Sequence, residues 1–446
     1  MNNFTKGNPT LQILMFSLPM LIGSVFQQLY NMADAVVVGR FVSSGALAAV
    51  GTAGIIVNFM LSVMGGLATG ASVLISQFYG GERYDKLKLT VSTSLVALLA
   101  AAAFISVFGT LIMPTFLHLM DVPEDIFGDT LIYLQILVGG MVFMMTYNLF
   151  TAYLRALGDT KRPLYILILS TMLNIGLDLL FVLKFNSGVM GVALATLIAQ
   201  AIAGIACYIY VVKRVPLLKV ENLKFDKDLF KALLRYGLPA SIQLSLTSFA
   251  ALTIVRLVNS FGSTEIAGYT AAIKLDQLAL MPLMNLSLAI STFVAQNMGA
   301  GLEDRAKKGL RSGALIMGIT ATVVSGFIMI FGKTLISLFV DETAVNTPQI
   351  IQSGTSYLVV IAFFYILHAM FFAFNGFFRG VGDAVVVMAL TITSLTIRSV
   401  AAHLLVHFAG MGINAVAWSI PIGWGLCTLF CVWYYKKRKW SGKAAA

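Results

Sequence analysis

Residues 154–159, Leu-Arg-Ala-Leu-Gly-Asp, recur 224 positions later as Phe-Arg-Gly-Val-Gly-Asp at residues 378–383. Further motifs on both sides of this pair repeat at offsets of 219 to 221. Because separate motifs keep almost the same spacing, the chain consists of two related halves. The other matched pairs are Phe16-Ser-Leu-Pro19 with Tyr236-Gly-Leu-Pro239, Phe41–Ala48 with Phe261–Gly268, Ser76-Gln-Phe-Tyr-Gly80 with Ala295-Gln-Asn-Met-Gly299, and Met190-Gly191 with Met411-Gly412.

Both halves are too apolar for a soluble or disordered protein. Hydrophobic residues make up 59% of the 446 residues and charged residues 11%, whereas roughly a quarter of a soluble protein is charged. Twelve apolar runs of about 20 residues or more can each cross a hydrocarbon layer of ~30 Å. The first is too long for a signal-peptide core, so we expect it to be retained. We number the runs spans 1–12; they lie near residues 11–38, 46–76, 89–116, 130–153, 163–184, 189–212, 234–258, 266–297, 312–338, 350–376, 385–407 and 411–435.

The positions of Lys and Arg predict the topology. Of these 30 residues, 24 fall in the termini and loops on the side of the N-terminus, three in loops on the other side and three inside spans. By the positive-inside rule, both termini are cytoplasmic. The net charge of +11 therefore reflects topology, and we expect no nucleic-acid partner.

The even number of spans in each half predicts how the halves are related. Since both halves enter the membrane from the same side, the repeat is parallel. The predicted fold is an all-α integral membrane protein, with twelve transmembrane helices in two six-helix bundles related by a pseudo-two-fold axis along the membrane normal. The predicted domains are an N-lobe at 1–212, a cytoplasmic linker at 213–233 and a C-lobe at 234–446.

The order and spacing of the motifs resemble the multidrug and toxic compound extrusion (MATE) family of antiporters over nearly the whole chain. The matching features are Leu-Pro in spans 1 and 7, Gln-Asn-Met-Gly-Ala after span 8, and Arg-x-x-Gly-Asp after spans 4 and 10. The resemblance implies a V-shaped pair of bundles around a central cavity and alternating access. It also implies export of organic cations driven by inward flow of protons or sodium ions.

Polar side chains form a stripe on one face of span 1. Gln27, Tyr30, Asn31 and Asp34 are spaced i, i+3, i+4 and i+7, so they share a helical face that lipid cannot satisfy. A carboxylate inside the membrane is expensive to bury and by default suggests a functional site. The alternative for Asp34 is a structural ion pair or a hydrogen-bonded link between helices.

A second intramembrane carboxylate lies in span 5. Asn174 and Asp178 are four residues apart and share a face, and the depth of Asp178 in the membrane matches that of Asp34. Two nearby buried carboxylates disfavour double ionisation, so the pair titrates as a unit and can exchange a proton or a sodium ion for substrate. The positions that resemble the N-lobe cation-coupling cluster of the prokaryotic MATE branch often described as proton-driven are Tyr30, Asp34, Tyr133, Asn148, Asn174, Asp178 and Thr196.

The C-terminal half departs from the sodium-coupled branch of the family. Thr247 and His368 stand where that branch has acidic residues, so no sodium site is expected in this lobe. His368 can titrate near neutral pH, but a hydrogen-bonded core position is the favoured interpretation. Asp276 either faces a cationic substrate or pairs with Lys274, Arg398 or Arg256. The candidate residues of the substrate cavity are Gln27, Asn31, Gln243, Thr247, Asp276 and His368.

The sequence lacks the common signatures of an enzyme. It has no G-x-x-x-x-G-K-[ST] phosphate loop, no H-E-x-x-H motif and no large soluble domain, so transport must draw on an ion gradient. We predict a cation-coupled antiporter, with the proton preferred over sodium, that exports amphipathic and mostly cationic compounds. It is expected to be a monomer in a bacterial cytoplasmic membrane, in contact with membrane lipid and with small-molecule substrates. No cofactor or metal is expected other than the coupling ion, H⁺ or Na⁺, and sodium would bind at Asp34 and Asp178.

Three alternatives remain open. One is a sodium-coupled exporter. Another is a flippase for lipid-linked precursors, which requires a strongly cationic cavity, whereas the charges inside these spans are balanced. The third is an intramembrane enzyme or sensor. An enzyme requires a catalytic dyad, and an aspartyl protease is tested by peptide cleavage.

Overall fold

The structure is a computed structural model that describes residues 3–220, 222–340, 346–442 and 444, without the side chains of 248–253. All regular secondary structure within these ranges is helical. The helices are α1 Pro9–Phe41, α2 Ser44–Gly80, α3 Tyr84–Leu119, α4 Glu124–Gly139 with Met141–Ala156, α5 Lys161–Lys184, α6 Gly188–Arg214, α7 Lys227–Asn259, α8 Ser263–Gly299, α9 Glu303–Ser337, α10 Thr347–Phe363 with Tyr365–Val381, α11 Ala384–Ala409 and α12 Asn414–Lys436.

These helices confirm the predicted twelve-helix membrane fold. Within the ranges that the structure describes, nine helices are long and apolar enough to cross a membrane, and eleven spans result when each bent pair counts as one. The twelfth is α7, a continuous helix of 33 residues that contains the undescribed side chains. Each helix therefore corresponds to the predicted span with the same number.

Four helices are interrupted, and two of these interruptions lie at positions that the repeat relates. The two segments of α4 meet at Gly140 with a bend of 50°, and those of α10 meet at Phe364 with a bend of 53°. These two residues are 224 positions apart, as are the motifs at 154–159 and 378–383. In addition, α3 contains a π-helical turn at Ile105–Gly109 and α5 contains one at Leu180–Lys184. The turn in α5 directly follows the stretch that carries Asp178, and such turns are frequent at functional sites.

The chain forms two compact units. The first unit holds Leu18–Ser241, and the second holds Phe4–Ser17 together with the described residues from Ile242 onward. Two helices therefore contribute to both units, because α1 changes unit beside Pro19 and α7 changes unit beside Pro239. The predicted lobes did not include this exchange of helix ends.

Glycines allow the first part of α7 to pack closely on α2 in the first unit. A Cβ added to Gly66 would lie 2.2 Å from the Ser241 backbone nitrogen, and one added to Gly70 would lie 2.5 Å from the Gly237 nitrogen. Only glycine permits such an approach of two backbones. The Ser241 hydroxyl also donates a hydrogen bond to the Val63 carbonyl at 2.5 Å.

The segment before α1 is anchored in the second unit. Phe4 is 1% exposed, and its ring lies 5.1 Å from that of Phe16 and 5.8 Å from that of Phe293. Its backbone N–H donates to the Gln296 side chain at 3.0 Å, and its carbonyl accepts from the Asn297 amide at 3.1 Å. The Gln-Asn-Met-Gly motif at the end of α8 thus holds the start of the chain.

Candidate functional site

A polar cavity of about 310 Å³ lies inside the first unit. Its walls come from α1, α2, α4 and α6, so it is built entirely within one bundle. The predicted residues among its lining are Gln27, Tyr30, Asn31, Asp34, Tyr133, Asn148 and Thr196.

The stripe on α1 faces this cavity. Gln27, Tyr30, Asn31 and Asp34 all line it, in keeping with their spacing along one helical face. Tyr30 and Asp34 are the buried members, with 5% and 7% of their surface exposed. Tyr30 and Asp34 therefore face an internal polar space, whereas Gln27 is half-buried and Asn31 is exposed.

The carboxyl groups of Asp34 and Asp178 meet beside this cavity. They lie within hydrogen-bonding reach of each other, and Asp178 is fully buried. Oδ2 of Asp34 also accepts a hydrogen bond from the Thr196 hydroxyl at 3.4 Å. Within the described chain, neither oxygen of Asp178 nor Oδ1 of Asp34 has a donor. Two such groups can both be ionised only when a cation lies between them, so the pair suits a shared proton or a small cation.

The neighbours of this carboxyl pair add polar atoms to it. Asn174 precedes Asp178 by one helical turn, is fully buried, and has no hydrogen-bond partner for either side-chain amide atom within the described residues. The hydroxyl groups of Tyr30 and Tyr133 lie close to Thr196. Carboxylate and amide oxygens of this kind are the ligands that hard cations prefer.

One predicted member of the cluster makes a different contact. Asn148 lines the cavity, but its amide donates to the Met144 carbonyl at 2.8 Å, one turn earlier in the same helix. Three polar lining residues were missed by sequence reasoning: Asn58, Tyr147 and Gln200. Asn58 in α2 and Gln200 in α6 are polar residues in apolar spans, and the argument used for α1 would have found them.

The other substrate-cavity candidates lie in the second unit. Gln243 donates to the Thr391 hydroxyl at 2.9 Å and accepts from Arg379 at 3.4 Å, so both ends of its amide are hydrogen-bonded. Thr247 is exposed, and its hydroxyl donates to the Gln243 backbone carbonyl at 2.9 Å. Gln27 and Asn31 are thus the only candidates of this set that line the cavity of the first unit.

His368 and Asp276 also belong to the second unit. His368 is 6% exposed, and its ring stacks on Trp424 with 3.9 Å between centroids. Asp276 accepts a hydrogen bond from the Tyr365 hydroxyl at 2.7 Å and interacts electrostatically with Arg398. Lys274, a proposed partner for Asp276, is instead exposed, with its amino group over the ring of Phe339.

Known proteins of similar sequence match almost the entire chain. Probable multidrug resistance protein YoeA of Bacillus subtilis is 29% identical over 443 residues, which covers 97% of this chain and 95% of that protein. Multidrug export protein MepA of Staphylococcus aureus is 23% identical over 432 residues, covering 96% of this chain and 93% of that protein.

Solved structures share the fold. A multidrug resistance MATE family transporter of the MOP superfamily, in an outward-facing conformation, superimposes with a TM-score of 0.91 at 23% identity, covering 98% of this chain and 97% of that one. A MOP superfamily transporter from Pyrococcus furiosus gives a TM-score of 0.90 at 23% identity, with the same coverage. The MatE family model matches residues 19–180 and 239–404, one match in each repeated half. The chain therefore belongs to the MatE family, the multidrug and toxic compound extrusion transporters that its sequence motifs resemble.

Proposed function

We propose that this multi-pass membrane protein is a proton-coupled antiporter that exports amphipathic, mostly cationic organic compounds. The observation that carries the proposal is the buried carboxyl pair of Asp34 and Asp178, which meets beside a polar cavity and in which, among the described residues, three of the four oxygens have no protein donor. Such a pair is stable with a bound proton or cation and unstable without one. It can therefore take up a proton on one side of the membrane and release it on the other.

The coupling follows from where the two carboxyl groups lie. Asp34 is part of the cavity wall, whereas Asp178 is fully buried behind it. Proton binding at the pair changes the hydrogen bonding of α1, which also carries Pro19 at the point where the helix changes unit. Proline weakens a helix by removing one backbone hydrogen bond, so α1 is suited to bend during alternating access.

The substrate class is inferred from charge and from relatives. The first unit holds two acidic side chains and no basic side chain within its spans, apart from residues at the helix ends, which favours cations over anions. The relatives from Bacillus subtilis and Staphylococcus aureus carry the names multidrug resistance and multidrug export proteins. The bias of Lys and Arg supports a cytoplasmic membrane with both termini inside the cell.

Dye efflux from proteoliposomes tests the proposal. A fluorescent cationic dye is followed under an imposed pH gradient and then under a sodium gradient, for the wild type and for Asp34→Asn and Asp178→Asn. We expect proton-driven efflux that both substitutions abolish. Asp129→Asn, at an exposed position of α4, is the matched control and should transport normally.

Each other outcome contradicts part of the proposal. If only the sodium gradient drives efflux, the exchange site is retained in the proposal but the coupling ion is sodium rather than the proton. If Asp34→Asn inserts normally into the membrane and transports at the wild-type rate, the carboxyl pair is not required for coupling. A lack of dye movement under either gradient would favour the flippase alternative.

A further inference from the structure

A row of buried polar side chains continues along α5 from the carboxyl pair. Thr171, Asn174 and Asp178 are spaced i, i+3 and i+7, so they share one helical face. Their exposed fractions are 3%, 0% and 0%. Within the described residues, the Thr171 hydroxyl, both amide atoms of Asn174 and both carboxyl oxygens of Asp178 have no hydrogen-bond partner. We call these three residues the α5 track.

The Thr171 hydroxyl lacks the local hydrogen bond that other buried threonines of the first unit make. A helical threonine can donate to the backbone carbonyl one turn earlier, as Thr90 and Thr130 do at 2.7 and 2.8 Å. The neighbouring hydroxyl of Ser170, which is also buried, donates to the Ala199 carbonyl at 3.0 Å. Thr171 therefore keeps a hydrogen-bonding group available inside the membrane, next to a residue that does not.

The spacing of the α5 track suits bridging water molecules. Residues three or four apart on a helix have Cβ atoms about 5–6 Å apart. One water molecule spans such a gap, because its hydrogen bonds are about 2.8 Å long on each side. A buried water needs at least two polar partners, and successive members of the track supply them. The α5 track can therefore hold a hydrogen-bonded chain of water from Asp178 to Thr171.

This track runs beside the cavity of the first unit but outside it. The cavity lining that the structure describes contains no residue of α5. A Cβ added to Gly23 of α1 would lie 3.5 Å from Leu167 of α5, and Asp34 meets Asp178 eleven residues further along both helices. The two helices therefore run side by side in register. The track covers about the same depth as the α1 wall of the cavity, from Gln27 to Asp34.

The same face of α5 becomes apolar towards the start of the helix. Leu167 and Leu164 lie one and two turns before Thr171, and both are within 4 Å of a Cβ added to Gly23. Gly23 follows Pro19 by one turn, close to the place where α1 changes unit. An apolar contact beside the proline therefore closes the inner end of the track.

We propose that the α5 track is the path by which the proton leaves the carboxyl pair towards the cytoplasm, separate from the cavity that takes the substrate. The inference rests on the proposed function, with inward proton flow and a cytoplasmic start of α5. Thr171 is the positioning residue at the inner end of this path, where its hydroxyl holds the last water. The proton thus passes the depth of the α1 wall without entering the substrate cavity.

Each proton transfer along the path conserves charge. The proton shared by Asp34 and Asp178 passes to the first water, each water gives one of its protons to the next, and the last water releases one beyond Thr171. The carboxyl pair is left with one more negative charge. A cationic substrate in the cavity offsets this charge, because Asp34 is part of the cavity wall. Bending of α1 at Pro19 opens the inner end of the track, which otherwise prevents a proton leak.

Two assays on the full-length protein in proteoliposomes separate proton release from substrate movement. One follows efflux of ethidium, a fluorescent cationic dye, under an imposed pH gradient. The other follows exchange of radiolabelled for unlabelled ethidium at equal concentration and equal pH on both sides of the membrane. Exchange requires alternating access with substrate bound, but no net proton transfer. A residue that acts only in proton release therefore affects the first assay alone.

Thr171→Val keeps the shape of the side chain and removes the hydroxyl. It should slow proton-driven efflux by roughly fivefold or more and leave ethidium exchange at the wild-type rate. Thr171→Ser retains the hydroxyl and should keep efflux near the wild-type rate. Ser170→Ala is the matched control, because it removes the adjacent buried hydroxyl whose partner is the Ala199 carbonyl. Both assays should give wild-type rates for this control.

The melting temperature gives a readout that does not depend on transport. Loss of a hydroxyl that holds water should lower the melting temperature of Thr171→Val, whereas loss of a buried hydroxyl without any partner should raise it. If Thr171→Val is not recovered in folded form, Thr171→Ala also removes the hydroxyl and takes its place in the two transport assays, with the same expected result.

Three results would overturn the proposal. Wild-type efflux by Thr171→Val would show that the proton leaves by another route. Equal slowing of efflux and exchange would assign Thr171 a packing role. A raised melting temperature of Thr171→Val would show that the hydroxyl holds no water. If the wild type itself shows no efflux driven by the pH gradient, the proposed function fails instead, and the sign of the melting-temperature change still tests the track.

Discussion

The side chains of Asp34 in α1 and Asp178 in α5 lie within hydrogen-bonding reach of each other, with Thr196 of α6 donating to Asp34 from the opposite wall. Three helices of one unit thus converge on two acidic groups. Since both groups are buried, the repulsion between two ionised carboxylates there is weakly screened, and one shared proton or cation would relieve it.

This pair should make the stability of the wild-type protein depend on pH. At low pH a proton is shared between Asp34 and Asp178, and at high pH its loss leaves two buried charges in contact. The melting temperature in sodium-free buffer should therefore fall as pH rises, whereas that of Asp178→Asn, which has one carboxyl group there, should fall less. Thermal unfolding measured from pH 6 to 9 checks this. Parallel curves for the two proteins would show that the pair does not share a proton.

The hydrogen bond from Thr196 to Asp34 should tune transport without being essential. Its length of 3.4 Å indicates a weak bond, worth about 1 kcal/mol or roughly fivefold in rate. Thr196→Val, which keeps the shape and loses the hydroxyl, should slow proton-driven dye efflux by about that factor. Thr196→Ser retains the donor and should stay near the wild-type rate. Equal efflux rates for Thr196→Val and Thr196→Ser would show that the Thr196 hydroxyl has no role in transport.

The polar face of α1 was predictable because helical periodicity is a local property. Gln27 and Asp34 are seven residues apart, which is two helical turns, so they share one face. Because lipid cannot satisfy polar side chains, this face must be directed towards the interior of the protein. The same argument located Asp178. Pairing these two carboxyl groups required only their matching depth, since helices in a membrane run across the same layer.

The rest of the site depends on contacts between distant parts of the chain. Gln243 looked like a cavity residue, but its amide bonds to Thr391 and Arg379, and nothing local in the sequence signals those partners. The exchange of helix ends between the units was equally hidden. The first part of α7 packs in the first unit because particular glycines of α2 contact its backbone. The sequence does not tell which glycines these are, since Gly65 and Gly66 are adjacent and identical.

This difference between Gly65 and Gly66 gives a direct test of the close packing of α2 on α7. A Cβ at Gly66 would lie 2.2 Å from the Ser241 nitrogen, whereas one at Gly65 meets nothing within 4 Å. Gly66→Ala should destabilise the protein by about 1–3 kcal/mol or more, because backbone cannot move aside as a side chain can. Gly65→Ala should be neutral or stabilise by up to ~1 kcal/mol through helix propensity. Equal melting temperatures for the two variants would contradict the packing.

Removal of the Phe4 ring should loosen the start of the chain from the second unit. Phe4 is 1% exposed between Phe16 and Phe293, and truncation of a buried Phe costs about 3–5 kcal/mol. Because the segment can detach on its own, Phe4→Ala should show as faster proteolysis before α1 and faster amide exchange at Gln296 and its neighbours, with a smaller loss in melting temperature. Phe41→Ala, at the 50% exposed end of α1, is the matched control. If both variants exchange and are cleaved at the wild-type rate, the Phe4 ring does not anchor this segment, and its hydrogen bonds, which include those to Gln296, Asn297 and Arg305, hold it instead.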